Sequence, residues 1–187
     1  MDMPPGCKID GTTFEKCWVG FNGDFTIPAG ITTVGYRAFC NCSDVTAISI
    51  PDGVTEIGYG AFMNCISLTR INIPEGVASI GDWAFAGCSN ITSIHLPDGV
   101  TRLGYGAFHD CHKLTCIVLP TGCRDPRREG GISFSPTCQI FFNGTAEYRL
   151  HLAKELAAGL AGDGVDVVGM HEPQSESVID SRGGRDI

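Results

Sequence analysis

The stretch IPDGVTEIGYGAFMNCISLTRIN, Ile50–Asn72, decides the fold, because its 23-residue pattern occurs four times in succession. The copies start at Ile27, Ile50, Ile73 and Leu96, and their commonest wording is I-P-x-G-V-T-x-I-G-x-x-A-F-x-x-C-x-x-L-T-x-I-x. A unit this short cannot bury its own apolar face, so successive copies must stack and cover one another. The sequence therefore predicts a solenoid with an elongated surface rather than a single catalytic pocket.

Two columns of the repeat hold one residue type in every copy and are expected to lie inside the stack. They are Phe39, Phe62, Phe85 and Phe108, and Cys42, Cys65, Cys88 and Cys111. Aromatic rings one coil apart are expected to stack on each other. Thiols one coil apart point in the same direction, which favours buried free thiols over disulfides, since a disulfide needs Cβ atoms that face each other.

Each copy ends in a segment of the form L-x-x-L-x-L, such as Leu68–Ile73. This segment, repeated every 20 to 29 residues, marks a leucine-rich repeat, in which each copy adds one short strand to a parallel sheet. Proline follows every segment and ends the strand, because it has a fixed φ and no N–H. The predicted fold is thus a leucine-rich repeat solenoid with a short parallel β-sheet on one face, irregular turns on the other and a C-terminal capping helix.

The segments on either side of the four repeats, residues 27–120, are expected to cap the stack. Residues 1–26 keep the F-x-x-C spacing in Phe14 and Cys17 and are interpreted as a degenerate N-terminal capping repeat. Residues 121–161 are predicted to form an irregular C-terminal cap, with a helix over Ala146–Ala158 that covers the last strand and that Thr145 caps. Residues 162–187 have the composition of a flexible tail.

This repeat wording resembles the BspA-like, or treponemal-type, leucine-rich repeat family. Members of that family occur on bacterial surfaces and in many single-celled eukaryotes, and the resemblance implies adhesion or protein–protein binding without enzymatic activity. The chain begins Met-Asp-Met-Pro-Pro, which has neither the basic nor the apolar region of a secretory signal. An intracellular location is therefore slightly favoured over the cell surface.

Composition argues against several classes of function. Twenty-one acidic residues against 13 basic ones give a net charge of −8, which repels the phosphates of nucleic acids. No apolar run approaches the roughly 20 residues that span a bilayer, so membrane insertion is not expected. The cluster His109-Asp-Cys111-His112 combines metal-binding residue types, but its spacing is not a zinc pattern and Cys111 belongs to the buried column. No metal, cofactor or enzymatic activity is expected.

Two surfaces carry residues that differ from copy to copy, and such residues are candidates for contacting a protein partner. The outward positions of the strands hold Arg70, Asn72, Ser93 and His95, and a second surface holds Tyr36, Tyr59, Trp83 and Tyr105. Tyrosine, tryptophan and arginine are enriched at binding hot spots. Packing over the turn glycines explains the aromatic residues equally well, so the sequence does not choose between the two surfaces.

Two functions remain open at this stage. The protein is either a recognition or adhesion module for a partner of unknown identity, or a structural subunit of a larger intracellular assembly. In an oxidising compartment, Cys7 with Cys17 or Cys123 with Cys138 would be able to staple a cap. N-x-[ST] sequons at Asn41, Asn90 and Asn143 matter only in a secreted chain.

Overall fold

The computed structural model of the protein describes residues 6–17, 20–121 and 138–157. These residues contain short strands and one helix, which follow the chain in this order: β1 (Lys8–Asp10), β2 (Thr13–Lys16), β3 (Gly23–Thr26), β4 (Thr33–Val34), β5 (Val45–Ser49), β6 (Glu56–Ile57), β7 (Arg70–Asn72), β8 (Ser79–Ile80), β9 (Ser93–His95), β10 (Arg102–Leu103), β11 (Cys116–Leu119), β12 (Gln139–Phe142) and α1 (Ala146–Ala157).

The parallel strands predicted from the L-x-x-L-x-L segments are present in every repeat, as β5, β7, β9 and β11. Strands one repeat apart pair in register, so that Ile48 lies beside Ile71 and Ile94 beside Ile117. The strands form two three-stranded sheets in the orders β3-β5-β7 and β9-β11-β12, with β7 beside β9. This arrangement confirms the leucine-rich repeat solenoid.

A second sheet, which the sequence did not reveal, follows the Pro-x-Gly turn of each coil. Its order is β1-β2-β4-β6-β8-β10, and the strands of the four repeats are only two residues long. Their inward side chains follow the repeat, with Val34 beside Ile57, Ile57 beside Ile80 and Ile80 beside the half-buried Leu103. The side of the coil that was expected to hold irregular turns therefore also contains a narrow parallel sheet.

The core between these sheets contains both predicted columns, and every one of their phenylalanines and cysteines is buried. The rings of Phe39, Phe62, Phe85 and Phe108 stack at centroid distances of 5.3, 5.1 and 5.3 Å, and Phe14 extends the stack at 4.9 Å from Phe39. The cysteine thiols do more than fill space. Cys65, Cys88 and Cys111 donate hydrogen bonds to the carbonyl oxygens of Phe39, Phe62 and Phe85, at 3.1, 3.1 and 3.2 Å.

The first coil belongs to the N-terminal segment, because β2 pairs with β4 and β3 pairs with β5 in parallel. At the other end β12 pairs with β11, and α1 begins at Ala146. The Thr145 hydroxyl accepts a hydrogen bond from the Tyr148 amide at 3.3 Å, which caps the helix. Cys123 and the predicted tail, residues 162–187, lie outside the described residues. No helix in the described part of the chain has the length and apolar character that a membrane crossing requires.

Candidate interaction surfaces

The outward side of β3, β5 and β7 is open and carries a charge pair. We call the outward side of the six strands β3, β5, β7, β9, β11 and β12 the strand face. Arg70 and Asp24 flank the small Ala47 in register, and the Arg70 Nη2 and Asp24 Oδ2 atoms lie 4.0 Å apart across it. Asp24 also accepts a hydrogen bond from the Thr46 hydroxyl at 2.7 Å. Because both members of the pair are about two-thirds exposed, the pair contributes little to stability and remains accessible to a partner.

The helix α1 lies over part of the other half of the strand face, whereas Ser93 and His95 of β9 stay exposed. The His151 ring stacks on Phe141 of β12 with centroids 4.5 Å apart, and its Nε2 atom lies 3.7 Å from the Cys116 thiol of β11. Tyr148, one turn earlier, lies 6.1 Å from the ring of His95 on β9. The helix therefore packs on β12, the last strand, as expected, and single side chains extend from it to Cys116 of β11 and toward His95 of β9.

His95, a candidate partner-binding residue, makes a hydrogen bond within the molecule. Its Nε2 atom lies 2.7 Å from Oδ1 of Asn143, whose amide nitrogen donates to Leu96 O and to Asp98 Oδ1, both at 3.1 Å. A hydrogen bond from the Thr121 amide, more than the one from Asn143, holds the pKa of Asp98 below its ordinary value. This network ties the end of β12 back across β11. All four strand-face candidates, Arg70, Asn72, Ser93 and His95, are exposed, but His95 already has a hydrogen-bond partner within the molecule.

The second surface is built on a backbone turn that is left-handed in all four repeats. Arg37, Gly60, Trp83 and Gly106 have φ angles of 51°, 55°, 58° and 61°. A positive φ costs a non-glycine residue about 1 to 2 kcal/mol, yet two of these positions carry large side chains. Each large side chain covers the glycine of the next coil: a Cβ on Gly60 would touch Arg37 at 3.4 Å, and one on Gly106 would touch the Trp83 ring at 3.1 Å.

Exposed aromatic rings stand beside this turn. Tyr36, Tyr59 and Tyr105 are 66%, 40% and 57% exposed, and the rings of Tyr36 and Tyr59 stack at 5.4 Å. The Arg37 guanidinium lies 5.6 Å from the centre of the Tyr36 ring. We call this surface the aromatic rim and define it by Tyr36, Arg37, Tyr59, Asp82, Trp83 and Tyr105. Trp83 packs over a glycine, as one of the two explanations predicts, whereas the tyrosines face solvent and their role in binding stays a prediction.

Asp82 interrupts the tyrosine column of the rim. It occupies the position that tyrosine holds in the other repeats, between Tyr59 of the coil before and Tyr105 of the coil after. Its Oδ1 atom accepts a hydrogen bond from the Tyr105 amide at 2.8 Å, and Trp83 meets Tyr105 edge-on at 5.6 Å. The column of rings is therefore interrupted for one coil at Asp82, and we call this gap between Tyr59 and Tyr105 the notch. Asp82 was not among the candidate residues predicted from the sequence, although the repeat places it in the column of Tyr36, Tyr59 and Tyr105.

The cluster at His109 does not converge on one point. The Cys111 thiol points into the core toward Phe85 O, whereas the His109 ring meets Trp83 edge-on at 5.2 Å. Within the described residues no group of three or more histidine, cysteine, aspartate or glutamate side chains is placed to hold a metal ion.

The cysteines of the described part of the chain form no disulfide. A hydrogen bond with Cys42, together with burial, raises the pKa of Cys17, and Cys7 acts in the same direction, so these three thiols lie together at the N-terminal end. All three sequon side chains make hydrogen bonds within the fold: Asn90 donates its amide to Ile66 O at 2.7 Å, Asn41 Oδ1 accepts from the Asn64 amide at 3.0 Å, and Asn143 is bound as described above.

Stacked coils with parallel strands, an internal phenylalanine column and left-handed turn residues at the same positions in every repeat define a leucine-rich repeat protein. The chain belongs to the BspA type leucine rich repeat family, whose repeat model matches residues 8–127 in six copies. This confirms the resemblance and extends it beyond both ends of the four repeats evident in the sequence. Among curated proteins, none matches the chain significantly.

Solved structures share the fold. A leucine rich cell surface protein from Faecalibacterium prausnitzii is 31% identical, with a TM-score of 0.58 over 68% of this chain. The match spans only 34% of that protein's length. The T. pallidum leucine rich repeat protein TpLRR is 23% identical, with a TM-score of 0.55, and the match covers 88% of this chain and 98% of that one. The pneumococcal vaccine antigen PcpA, at 17% identity, has a TM-score of 0.63 over 78% of this chain and 42% of its own. At these identities, the likeness to TpLRR and to PcpA is one of fold alone.

Proposed function

We propose that the protein is a non-enzymatic recognition module that binds a protein partner through the aromatic rim. The observation that carries this proposal is the row of exposed rings, Tyr36, Tyr59 and Tyr105, held in line by the coil spacing. Tyrosine, tryptophan and arginine supply most of the energy at protein interfaces, because they bury large areas at small entropic cost. An ordered row of such residues is suited to a partner that follows the length of the stack.

The rim is favoured over the strand face because the chain itself occupies part of the strand face. His151 of α1 lies over β11 and β12, and Tyr148 approaches His95 of β9, which leaves β3, β5 and β7 as the part of the strand face that the helix does not reach. Those three strands present mainly small polar side chains and the Arg70–Asp24 pair, whose exposed charges add little affinity. The similar F. prausnitzii protein is a cell surface protein, which agrees with a role in binding or adhesion.

The test is to find the partner through the rim and then to measure its affinity. A photo-crosslinking amino acid placed at Tyr36 or at Arg70 identifies neighbours in the native cell, and the purified partner is titrated against two variants. We expect the double variant Tyr36→Ser/Tyr105→Ser to weaken binding at least tenfold, since truncating hot-spot residues costs about 2 kcal/mol or more. Arg70→Ala is the matched control and is expected to change the affinity less than threefold. The opposite order would transfer the function to the strand face.

A second candidate, a subunit of an intracellular assembly, is supported by the chemistry of the thiols and sequons. Cys65, Cys88 and Cys111 are used as hydrogen-bond donors, and the amide nitrogens of Asn90 and Asn143 are engaged in the fold. These features suit a chain that keeps its thiols reduced and carries no glycan at either asparagine. The intact mass of the native protein, after alkylation under denaturing conditions, distinguishes the candidates. Ten alkylated thiols without glycan mass would favour the assembly, whereas glycan or protected cysteines would favour adhesion at the cell surface.

A further inference from the structure

We propose that the notch between Tyr59 and Tyr105 binds a lysine or arginine side chain of the partner, with Asp82 as the counter-charge. This inference rests on the proposed function, because it names the chemistry that the aromatic rim recognises. Three features of the notch support it: its width, its uncompensated charge and its rigid walls.

The width follows from the repeat. Neighbouring coils are separated by about 4.8 Å, so the rings of Tyr59 and Tyr105, two coils apart, are expected to lie about 10 Å apart. A cation midway between them would be about 5 Å from each ring, within the roughly 6 Å over which a cation is attracted to an aromatic face. The opening therefore admits one alkylammonium or guanidinium group between the two rings. At the neighbouring position Tyr36 and Tyr59 are in direct contact at 5.4 Å, which leaves no such space.

The charge of the notch is not balanced within the described residues. Their ion pairs are Lys8–Glu15, Arg70–Asp24 and His109–Asp110, and Asp82 takes part in none of them. The Tyr105 amide occupies one side of Oδ1 and orients the half-buried carboxylate without neutralising it. A carboxylate between aromatic faces strengthens the attraction for a cation, because the ring faces carry partial negative charge. The net charge of −8 draws basic partners toward the molecule as a whole.

Both walls of the notch are supported by a neighbouring ring, since Tyr59 stacks on Tyr36 at 5.4 Å and Tyr105 meets Trp83 at 5.6 Å. The Trp83 ring lies flat over Gly106, meets Tyr105 edge-on and has His109 on another edge, so it supports the Tyr105 wall. The Asp82 backbone and carboxylate pack so closely on Gly104 that no Cβ would fit there. Elsewhere in the rim a cation already lies over a tyrosine, since Arg37 covers Tyr36. A rigid site loses little entropy on binding, and this favours recognition of a single side chain.

The test uses the full chain, labelled with ¹⁵N, and reads two signals at the notch: the Tyr105 amide and the Trp83 indole N–H. The probes are the blocked amino acids Nα-acetyl-lysine methylamide and Nα-acetyl-arginine methylamide. The neutral control is the same lysine derivative acetylated on its side chain, and maltose tests for sugar binding. We expect saturable shifts of both signals with the two cations at millimolar concentration, and no comparable shift with the neutral probes.

Two variants complete the test. Asp82→Asn keeps an oxygen to accept the Tyr105 amide and so preserves the turn, and it is expected to weaken cation binding about tenfold. Asp52→Asn removes the same charge at an exposed position outside the rim and should leave the affinity within twofold. Equal shifts with the neutral lysine probe, unchanged binding by Asp82→Asn, or no shift at the two signals would overturn the proposal, and a response to maltose alone would assign the rim to sugars. If partner binding still depends on Tyr36 and Tyr105 after such a result, the proposed function stands without the cation site.

Discussion

At the scale of single residues, the coil spacing leaves no room for side chains at certain glycines. A Cβ on Gly104 would collide with the backbone of Gly81 and Asp82 and lie 2.6 Å from Asp82 Oδ1, whereas a Cβ on Gly53 would have one contact, at 3.5 Å from Ile31 O. We expect Gly104→Ala to lower the free energy of unfolding by about 2 to 3 kcal/mol, because the two coils must separate to admit the methyl group. Gly53→Ala should stay within about 1 kcal/mol of the wild type.

Urea unfolding of the two variants checks this prediction. Equal effects at Gly104 and Gly53 would show that the coils tolerate local separation, and the notch at Asp82 would then be less rigid than its packing indicates.

Arg37 and Trp83 show how the same turn serves packing and recognition together. Both hold a left-handed backbone that glycine adopts freely at Gly60 and Gly106, and both use the resulting position to cover the next coil and support a tyrosine. Of the five non-glycine residues with positive φ in the described part of the chain, Arg37 and Trp83 belong to the aromatic rim, whereas Asn41, Asn64 and Asp110 occupy a second left-handed position of the repeat outside it.

At the scale of elements, the buried column of thiols makes the free energy of unfolding fall as the pH rises into the alkaline range. Burial raises the pKa of the Cys111 thiol to about 12, from 9.0 in the absence of the fold. Between these values the unfolded chain releases the proton while the folded chain keeps it, so the unfolded state is favoured as pH rises. The stabilisation is complete below pH 9 and is lost at about 1.4 kcal/mol per pH unit toward pH 12.

Cys111→Ala isolates this contribution. We expect the wild type to lose about 2 kcal/mol more than the variant between pH 9 and pH 10.5, measured by urea unfolding at both values. The other titrating groups are present in both proteins and cancel in the comparison. Parallel pH profiles would mean that the Cys111 thiol ionises as easily in the folded chain as in the unfolded one.

The helix on the strand face is held mainly by aromatic contacts with β12. Phe141 stacks with His151 and lies 6.2 Å from Tyr148, and beneath the helix the Cys116 thiol is half-buried. We expect Phe141→Ala to loosen α1 and to raise the alkylation rate of Cys116 severalfold, while the buried Cys88 is unaffected. Leu150→Ala alters an exposed residue of the same helix, 58% accessible, and serves as the control.

Peptide mapping by mass spectrometry after timed alkylation reports both cysteines in one experiment. An unchanged rate at Cys116 would mean that the helix does not depend on Phe141. Acceleration by Leu150→Ala as well would point to a general loss of helix stability instead.

At the scale of the whole molecule, the sequence predicts the features that recur in every repeat. The period of 23 residues was enough to assign the coils, the parallel strands and the buried columns, because one set of contacts is used in every coil. The contacts of the C-terminal segment occur only once. The repeat pattern therefore cannot predict that Phe141 stacks on His151 or that Asn143 forms a hydrogen bond with His95. The narrow second sheet could not be predicted for another reason, since two-residue strands are too short to show an alternating pattern of apolar and polar residues. The rim was located by its variable column, but its notch depends on a carboxylate orientation that only the three-dimensional structure gives.

Because each coil contacts only its neighbours, the stack should respond differently to damage at its end and at its centre. Phe14 and Phe62 are both fully buried, but Phe14 begins the phenylalanine stack, with Phe39 on one side, whereas Phe62 lies between Phe39 and Phe85. We expect Phe62→Leu to reduce the global free energy of unfolding by about 1 to 2 kcal/mol and to accelerate amide hydrogen exchange in coils on both sides. Phe14→Leu should accelerate exchange in β1 and β2 and leave the amides of β9 and β11 near their wild-type rates. If Phe14→Leu accelerated exchange in β11 as strongly as in β2, the described coils would unfold as one cooperative unit, and the rim would share the stability of the whole molecule rather than that of its own coils.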